Sequence, residues 1–289
     1  MDKVDGEELG GWLFPPSEAV RFDPVTVKTP QLPVWTANKA RLIANYIRLF
    51  QYVTHHGTYI DGFAGPQSPQ QPDSWAARMV LELQPLWLRH FHLCDVGREQ
   101  VRELRSLRLN HKKLDIHIYP GDFNLKVDDI LGPGVLKAEA TFCLLDQRTF
   151  ECNWDTVVKL SKFKANADTK IELFYFLAQG WFERACSGLG ADGQRQAAAW
   201  WGRSDWQVLV GMTAWERARA FAARFQNELG YISVKPWPIY ASEGEQGRLM
   251  YHMVHATDHV EAPKLMARAY AAAVGQSTVG DQLELISID

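Results

Sequence analysis

Between residues 58 and 179 the chain alternates short apolar runs with helical stretches, and this alternation constrains its fold more than any other feature. The strand-like runs are TYIDGF (58–63), RHFHLCDV (89–96), LDIHIYPGDF (114–123), ATFCLLD (140–146) and KIELFYFLAQ (170–179). Helical stretches lie between the early ones: DSWAARMVLELQPL (73–86), the arginine-rich GREQVRELRSLRLNHKK (97–113) and NWDTVVKLSKF (153–163). Strands that alternate with helices pair in parallel, because each crossover helix carries the chain back to the edge from which the previous strand began. The expectation is an α/β domain with helices on both faces of one sheet.

The flanks extend this reading. Upstream, ANKARLIANYIRLFQYV sets Leu42, Ile43, Tyr46, Ile47 and Phe50 at helical spacing, with Lys39, Arg41, Asn45 and Arg48 opposite. That pattern is an amphipathic helix leading into the domain. Residues 1–33 hold five of the fourteen prolines and little periodicity, and read as an extended arm, which leaves 34–289 as a single domain. Downstream, Thr213 and Glu216 form a capping-box pattern and Gly230 is a natural helix stop. YISVKPWPIY (231–240) and RLMYHMVHATDH (248–259), joined by ASEGEQG, then read as a hairpin. Five parallel strands completed by a helix and an antiparallel hairpin resemble the Rossmann-like methyltransferase fold. A seven-stranded, mostly parallel sheet follows, with the last strand antiparallel beside the fifth.

Composition narrows the class of function. With 46% hydrophobic and 22% charged residues the chain is globular. Apolar stretches such as LFYFLA (173–178) are too short to span a bilayer, and the acidic start MDKVDGEELGGW lacks the order of a secretory signal. Cys94, Cys143, Cys152 and Cys186 lie far apart without a CxxC pair, which points to reduced thiols, a cytoplasmic location and no zinc site. A net charge of −3 gives no overall attraction to nucleic acid. Arg98, Arg102 and Arg105, followed by Arg108, Lys112 and Lys113, recur about a helical turn apart. They read either as a solvated helix face or as a phosphate-facing stripe.

In open α/β sheets ligands lie beyond the carboxyl ends of the strands, at the topological switch point. Asp61, Asp95, Asp122 and Asp146 all fall at or near such ends. Each one alone is also an ordinary cap for the next helix. Taken in order, they suit a sulfonium ligand carrying a ribose and an adenine. The turn Asp61-Gly62-Phe63-Ala64-Gly65 wraps the methionine–ribose region, with glycines removing side chains from the contact. Asp95 accepts from both ribose hydroxyls. Asp122 accepts from the adenine amino group while Phe123 covers the ring. No GxxxxGK[ST] loop is present, and no G-x-G-x-x-G turn directly follows a strand-like run, which disfavours ATP and NAD.

Other residues carry less. His55 and His56 precede the first strand and are candidates for the mouth of the cofactor site. His90 and His92, and His252, His255 and His259, sit on strands where packing or a hydrogen bond explains them better than a metal does. QGWFER (179–184) is a candidate substrate-side loop, and WWGRSDW (200–206) a packing corner between helices.

YIDGFAGP (59–66), LLDQRTFECNWDTVVKLS (144–161) and the helix-plus-hairpin end together resemble the three-Cys-motif partner proteins, TcmP, a bacterial family with a methyltransferase-like fold. The resemblance runs from about residue 38 to 259. It implies an S-adenosylmethionine-binding domain, with Asp61, Gly62 and Gly65 in the cofactor turn and Asp146 opening the catalytic loop. Amino-methyltransferases acting on bases carry Pro-Pro and an aromatic after that acid, whereas this chain has Gln147 and Arg148 before Phe150. Asp146 would accept from an attacking amine and Phe150 would stack on a base. Two functions follow. One is methyl transfer from S-adenosylmethionine, with a nucleic-acid amine as the acceptor. The other is an inactive methyltransferase-like scaffold that binds a partner protein in genome maintenance or defence.

Overall fold

The computed structural model describes residues 34–35, 39–67, 72–132, 137, 139–164, 170–240 and 248–273. The arm expected over 1–33 and the hairpin link 241–247 lie outside the described residues. In chain order the elements begin with β1 (Val34–Trp35), α1 (Lys39–Thr54), β2 (Thr58–Asp61), α2 (Ala76–Leu81), β3 (His90–Asp95) and α3 (Arg98–Asn110). Then come β4 (Asp115–Pro120), α4 (Phe123–Leu131), β5 (Thr141–Leu145), α5 (Trp154–Lys162) and β6 (Glu172–Ala178). The last part holds α6 (Phe182–Ser187), α7 (Ala191–Trp201), α8 (Ala214–Asn227), β7 (Ser233–Tyr240), β8 (Leu249–Thr257) and α9 (Ala262–Ala273).

The strands form one sheet in the order β1-β7-β8-β6-β5-β2-β3-β4. All neighbours run parallel except β8, which lies antiparallel between β6 and β7. The seven expected strands are present in the arrangement of the Rossmann-like methyltransferase fold, and the two-residue β1 adds an eighth beside β7. From β2 the chain steps outward to β3 and β4, then returns to β5 on the other side of β2. The switch point therefore lies between β2 and β5.

The strand sequences explain their position. β6 is buried along its whole length, and its side chains alternate between two cores. Phe174 and Phe176 join α1, α2 and α9 on one face, while Leu173, Tyr175 and Leu177 join α4, α5, α7 and α8 on the other. The Thr213–Glu216 capping box closes the start of α8, and Gly230, at φ 71°, ends the segment in the left-handed region that glycine adopts without strain. Four helices depart from the sequence reading. α4 occupies the stretch after the third acid, α6 begins inside QGWFER, α7 fills 191–201 and α9 follows the hairpin. α4 and α6 are short and α7 starts without a side-chain cap, so periodicity alone passes over them.

Candidate functional site

At the carboxyl edge of the sheet backbone bonds tie the turn after β2 to β5 and β3, and the turn after β4 to β3. Gly62 N donates to Leu144 O at 3.0 Å, Ala64 N to Cys94 O at 2.8 Å, and Gly121 N to Asp95 O at 2.9 Å. Asp95 completes the tie. Its Oδ2 accepts from Gly65 N at 2.9 Å and its Oδ1 from Gly97 N at 2.8 Å. Around these turns opens a cleft of about 450 Å³, lined by Gly62, Phe63, Gly65, Asp95, Asp122, Phe123 and Asp146 among others.

The expected residues thus converge, but not all in the expected way. Asp61 is 1% exposed and lies beneath the turn, facing a small cavity of about 20 Å³ that it shares with Asp146. Its Oδ1 accepts from Phe63 N and its Oδ2 from Tyr59 Oη, each at 3.1 Å. Burial pushes its carboxyl up to about 7; the Phe63 amide opposes this and the Asp146 charge adds to it. Packing within the protein itself requires both glycines of the turn. A Cβ on Gly62 would meet the Phe123 ring at 2.9 Å, and one on Gly65 would meet Gln100 Cβ at 2.2 Å and Asp95 Oδ2 at 2.6 Å. Phe123 is accordingly packed beneath Gly62 and 2% exposed, so it borders the cleft with little ring surface to lay over an adenine. Asp122 is exposed and caps α4, its Oδ1 accepting from Asn124 N at 2.9 Å.

Beyond β5 the loop is folded on its own side chains. Gln147 is buried, and its Oε1 accepts from Glu151 N at 3.1 Å and Cys152 N at 2.9 Å. Arg148 N donates to Glu151 Oε2 at 2.7 Å, and Trp181 Nε1 donates to Thr149 Oγ1 at 2.9 Å. Hydrogen bonds thus fix the shape of this loop, which contains no proline. Asn124 joins it to the Asp122 turn, donating to Asp122 Oδ1 and Glu151 O and accepting from Asn153 N and Thr156 Oγ1. Phe150 requires a correction. It is 5% exposed, with its ring centroid 4.9 Å from Trp200 and 5.9 Å from Phe182. It is a core residue and offers no face to a base.

Asp146 lines the cleft and is paired with Lys39. Nζ lies 2.8 Å from each carboxylate oxygen and stands 5.0 Å and 4.8 Å from the ring centroids of Phe176 and Tyr251. Lys39, assigned from the sequence to the solvated side of α1, is therefore buried. The signal was present in the spacing, since position 39 precedes Leu42, Ile43 and Tyr46 by three, four and seven residues. Asn124 and Gln147 carried no such pattern, because both act through tertiary hydrogen bonds.

The remaining candidates fall elsewhere. His55 and His56 lie just before β2, at the end of the sheet opposite the cleft, so they do not reach its mouth. His90 Nδ1 pairs with Asp115 at 2.7 Å, His92 Nδ1 with Tyr119 Oη at 2.9 Å and His255 Nε2 with Glu172 at 2.8 Å. No group of three or more His, Cys, Asp or Glu among the described residues is arranged to hold a metal. Arg98, Arg102 and Arg105 are exposed on α3, whose first turn supplies Gln100 to the cleft; Arg102 also pairs with Glu99 at 3.5 Å. Trp200, Trp201 and Trp206 are buried, in keeping with a packing corner. No helix among the described residues is long and apolar enough to cross a membrane.

No family model matches the chain, and no curated protein sequence matches it. Among solved structures it is similar to M. jannaschii TYW2 in complex with AdoMet, at 10% identity and TM-score 0.39, covering 74% of this chain and 75% of that one. It is also similar to a DUF574 family protein from Streptomyces avermitilis, at 12% identity and TM-score 0.41, covering 76% and 82%. A third likeness is to the small RNA methyltransferase HEN1, at 13% identity and TM-score 0.41, covering 73% of this chain and 25% of that one. With every one of these overlays below 0.5, the fold assignment rests on the strand order.

Proposed function

We propose that the protein binds S-adenosylmethionine in the cleft at the switch point and transfers its methyl group to an acceptor held beyond β5. The observation that carries this reading is the convergence of Asp95, Asp122 and Asp146 on one cleft of about 450 Å³. Such a lining supplies hydrogen-bond acceptors and negative charge. It suits a cation that bears hydroxyl and amino donors, and it suits a phosphate-rich nucleotide poorly. Each oxygen of Asp95 takes one backbone amide and retains a lone pair for a ribose hydroxyl. When bound, the cofactor supplies an electrophilic methyl group on sulfur. The chain's own work is to orient: the tied turns fix the cleft, and Asp146 stands ready to accept an N–H of the acceptor.

A nucleic-acid amine is the acceptor class this reading favours. The exposed arginines of α3 start at the cleft and offer a track for phosphates. The resemblance to three-Cys-motif partner proteins implies the S-adenosylmethionine site and leaves the acceptor open. One observation favours the scaffold reading instead. With Phe150 in the core, the loop after β5 lacks the aromatic platform that a base would need.

Calorimetry with S-adenosylmethionine and its demethylated product tests the cofactor site. Asp95→Ala is expected to weaken binding by roughly 1–3 kcal/mol, the usual loss for charged hydrogen bonds. Unchanged affinity in a folded variant removes the ribose role. Incorporation of labelled methyl into total nucleic acid and protein, by wild type and Asp146→Asn, tests transfer. Firm binding without incorporation into either fraction selects the scaffold.

A further inference from the structure

Lys39 differs from Arg148, which lines the cleft and is exposed, because its own charge is not in water. The side chain is 6% exposed, and its ammonium is closed in by the rings of Phe176 and Tyr251 and by the carboxylate of Asp146. Asp146 is 14% exposed and opens onto the cleft with Asp95 and Asp122. Lys39 therefore acts on a bound ligand through the pair it forms with Asp146. With both present, that end of the cleft carries a dipole; with Lys39 removed, it carries a net negative charge.

We propose that Lys39 is a specificity-determining residue that balances the charge of Asp146 and so sets how strongly the cleft distinguishes a cationic ligand from its neutral counterpart. This rests on the reading of the cleft as an S-adenosylmethionine site. The cofactor and its demethylated product differ by one methyl group and one positive charge. The ratio of their affinities therefore isolates the local charge, while any general loosening of the cleft weakens both and cancels. A balanced pair keeps the neutral product from being bound much more weakly than the cofactor. An unbalanced Asp146 would hold the sulfonium more firmly.

The experiment is calorimetric titration of both ligands into wild type, Lys39→Met, Asp146→Asn and the double variant Lys39→Met/Asp146→Asn. In Lys39→Met the ratio should move toward S-adenosylmethionine by about three- to tenfold, the effect of one partly screened charge several ångströms away. In Asp146→Asn, which leaves the ammonium unbalanced, it should move the opposite way. The double variant should return to within about twofold of wild type, because the two effects cancel. It also serves if Asp146→Asn alone does not fold. Lys39→Arg, which keeps the charge, should leave the ratio near wild type. A ratio unchanged in Lys39→Met, with both ligands bound, overturns the role of Lys39 and leaves the cofactor site standing. Binding of neither ligand by wild type removes the cofactor reading, and the role of Lys39 with it.

Discussion

Lys39 Nζ stands 2.8 Å from both carboxylate oxygens of Asp146, joining the first turn of α1 to the end of β5 across 107 positions of sequence. The contact fixes one side of the cleft, since α1 also packs its apolar face on Phe142 and Phe174 of the sheet. Removing one partner leaves a charge with little water around it. Lys39→Met should therefore destabilise the protein by about 3 kcal/mol, and Lys39→Met/Asp146→Asn should recover most of that loss. Urea unfolding of the single and double variants measures the coupling. A loss in the double variant equal to the sum of the Lys39→Met and Asp146→Asn losses would mean that the pair contributes nothing as a pair.

Asp61 gives the stability a distinct pH dependence. Burial holds its carboxyl near 7, with the Phe63 amide acting against that shift, so the folded protein retains the proton more tightly than the unfolded chain does. The contribution to stability is complete below about pH 4 and is lost as pH rises through about 7. Asp61→Asn is neutral throughout and keeps an acceptor for the Phe63 amide. Relative to wild type it should gain stability at about pH 8 and lose that advantage near pH 4. Melting temperatures across this range test it, and parallel curves for the two proteins would exclude the shifted carboxyl.

Gln147 holds the loop after β5 in shape. Gln147→Leu would leave the amides of Glu151 and Cys152 without their acceptor inside the protein. The expected cost is roughly 2–4 kcal/mol, from one buried and one partly buried donor left unpaired. Hydrogen exchange should be faster at these two loop amides than in wild type, while the amides of α5 keep their protection. Protection equal to wild type at both positions would show that the loop does not depend on Gln147.

Phe150 should behave as a core residue in every assay. Phe150→Ala is expected to cost about 3–5 kcal/mol, whereas Phe150→Leu, which keeps most of the volume, should cost far less. If methyl transfer is detected, Phe150→Leu should retain it. A folded Phe150→Leu that binds S-adenosylmethionine normally but has lost transfer would restore the ring to the reaction.

The sequence by itself determined a mostly parallel sheet, because strand-like runs separated by crossover helices leave few other ways to pair, and the capping box and hairpin specify its closing half. The full strand order, with β1 at its edge, was decided by the tertiary structure. The sequence also placed Asp61, Asp95, Asp122 and Asp146 at strand ends, where a parallel sheet brings its carboxyl termini together. What it left undecided is which way each side chain turns. Only the tertiary structure sent Asp61 and Phe150 inward, made Asp122 a helix cap and set Lys39 against Asp146. These outcomes depend on contacts between residues tens of positions apart. Phe123 fills the space that a side chain on Gly62 would take, and Trp200 and Phe182 enclose Phe150. Local patterns register spacing along one element, whereas burial at the end of a strand is settled by whichever neighbouring element packs over it.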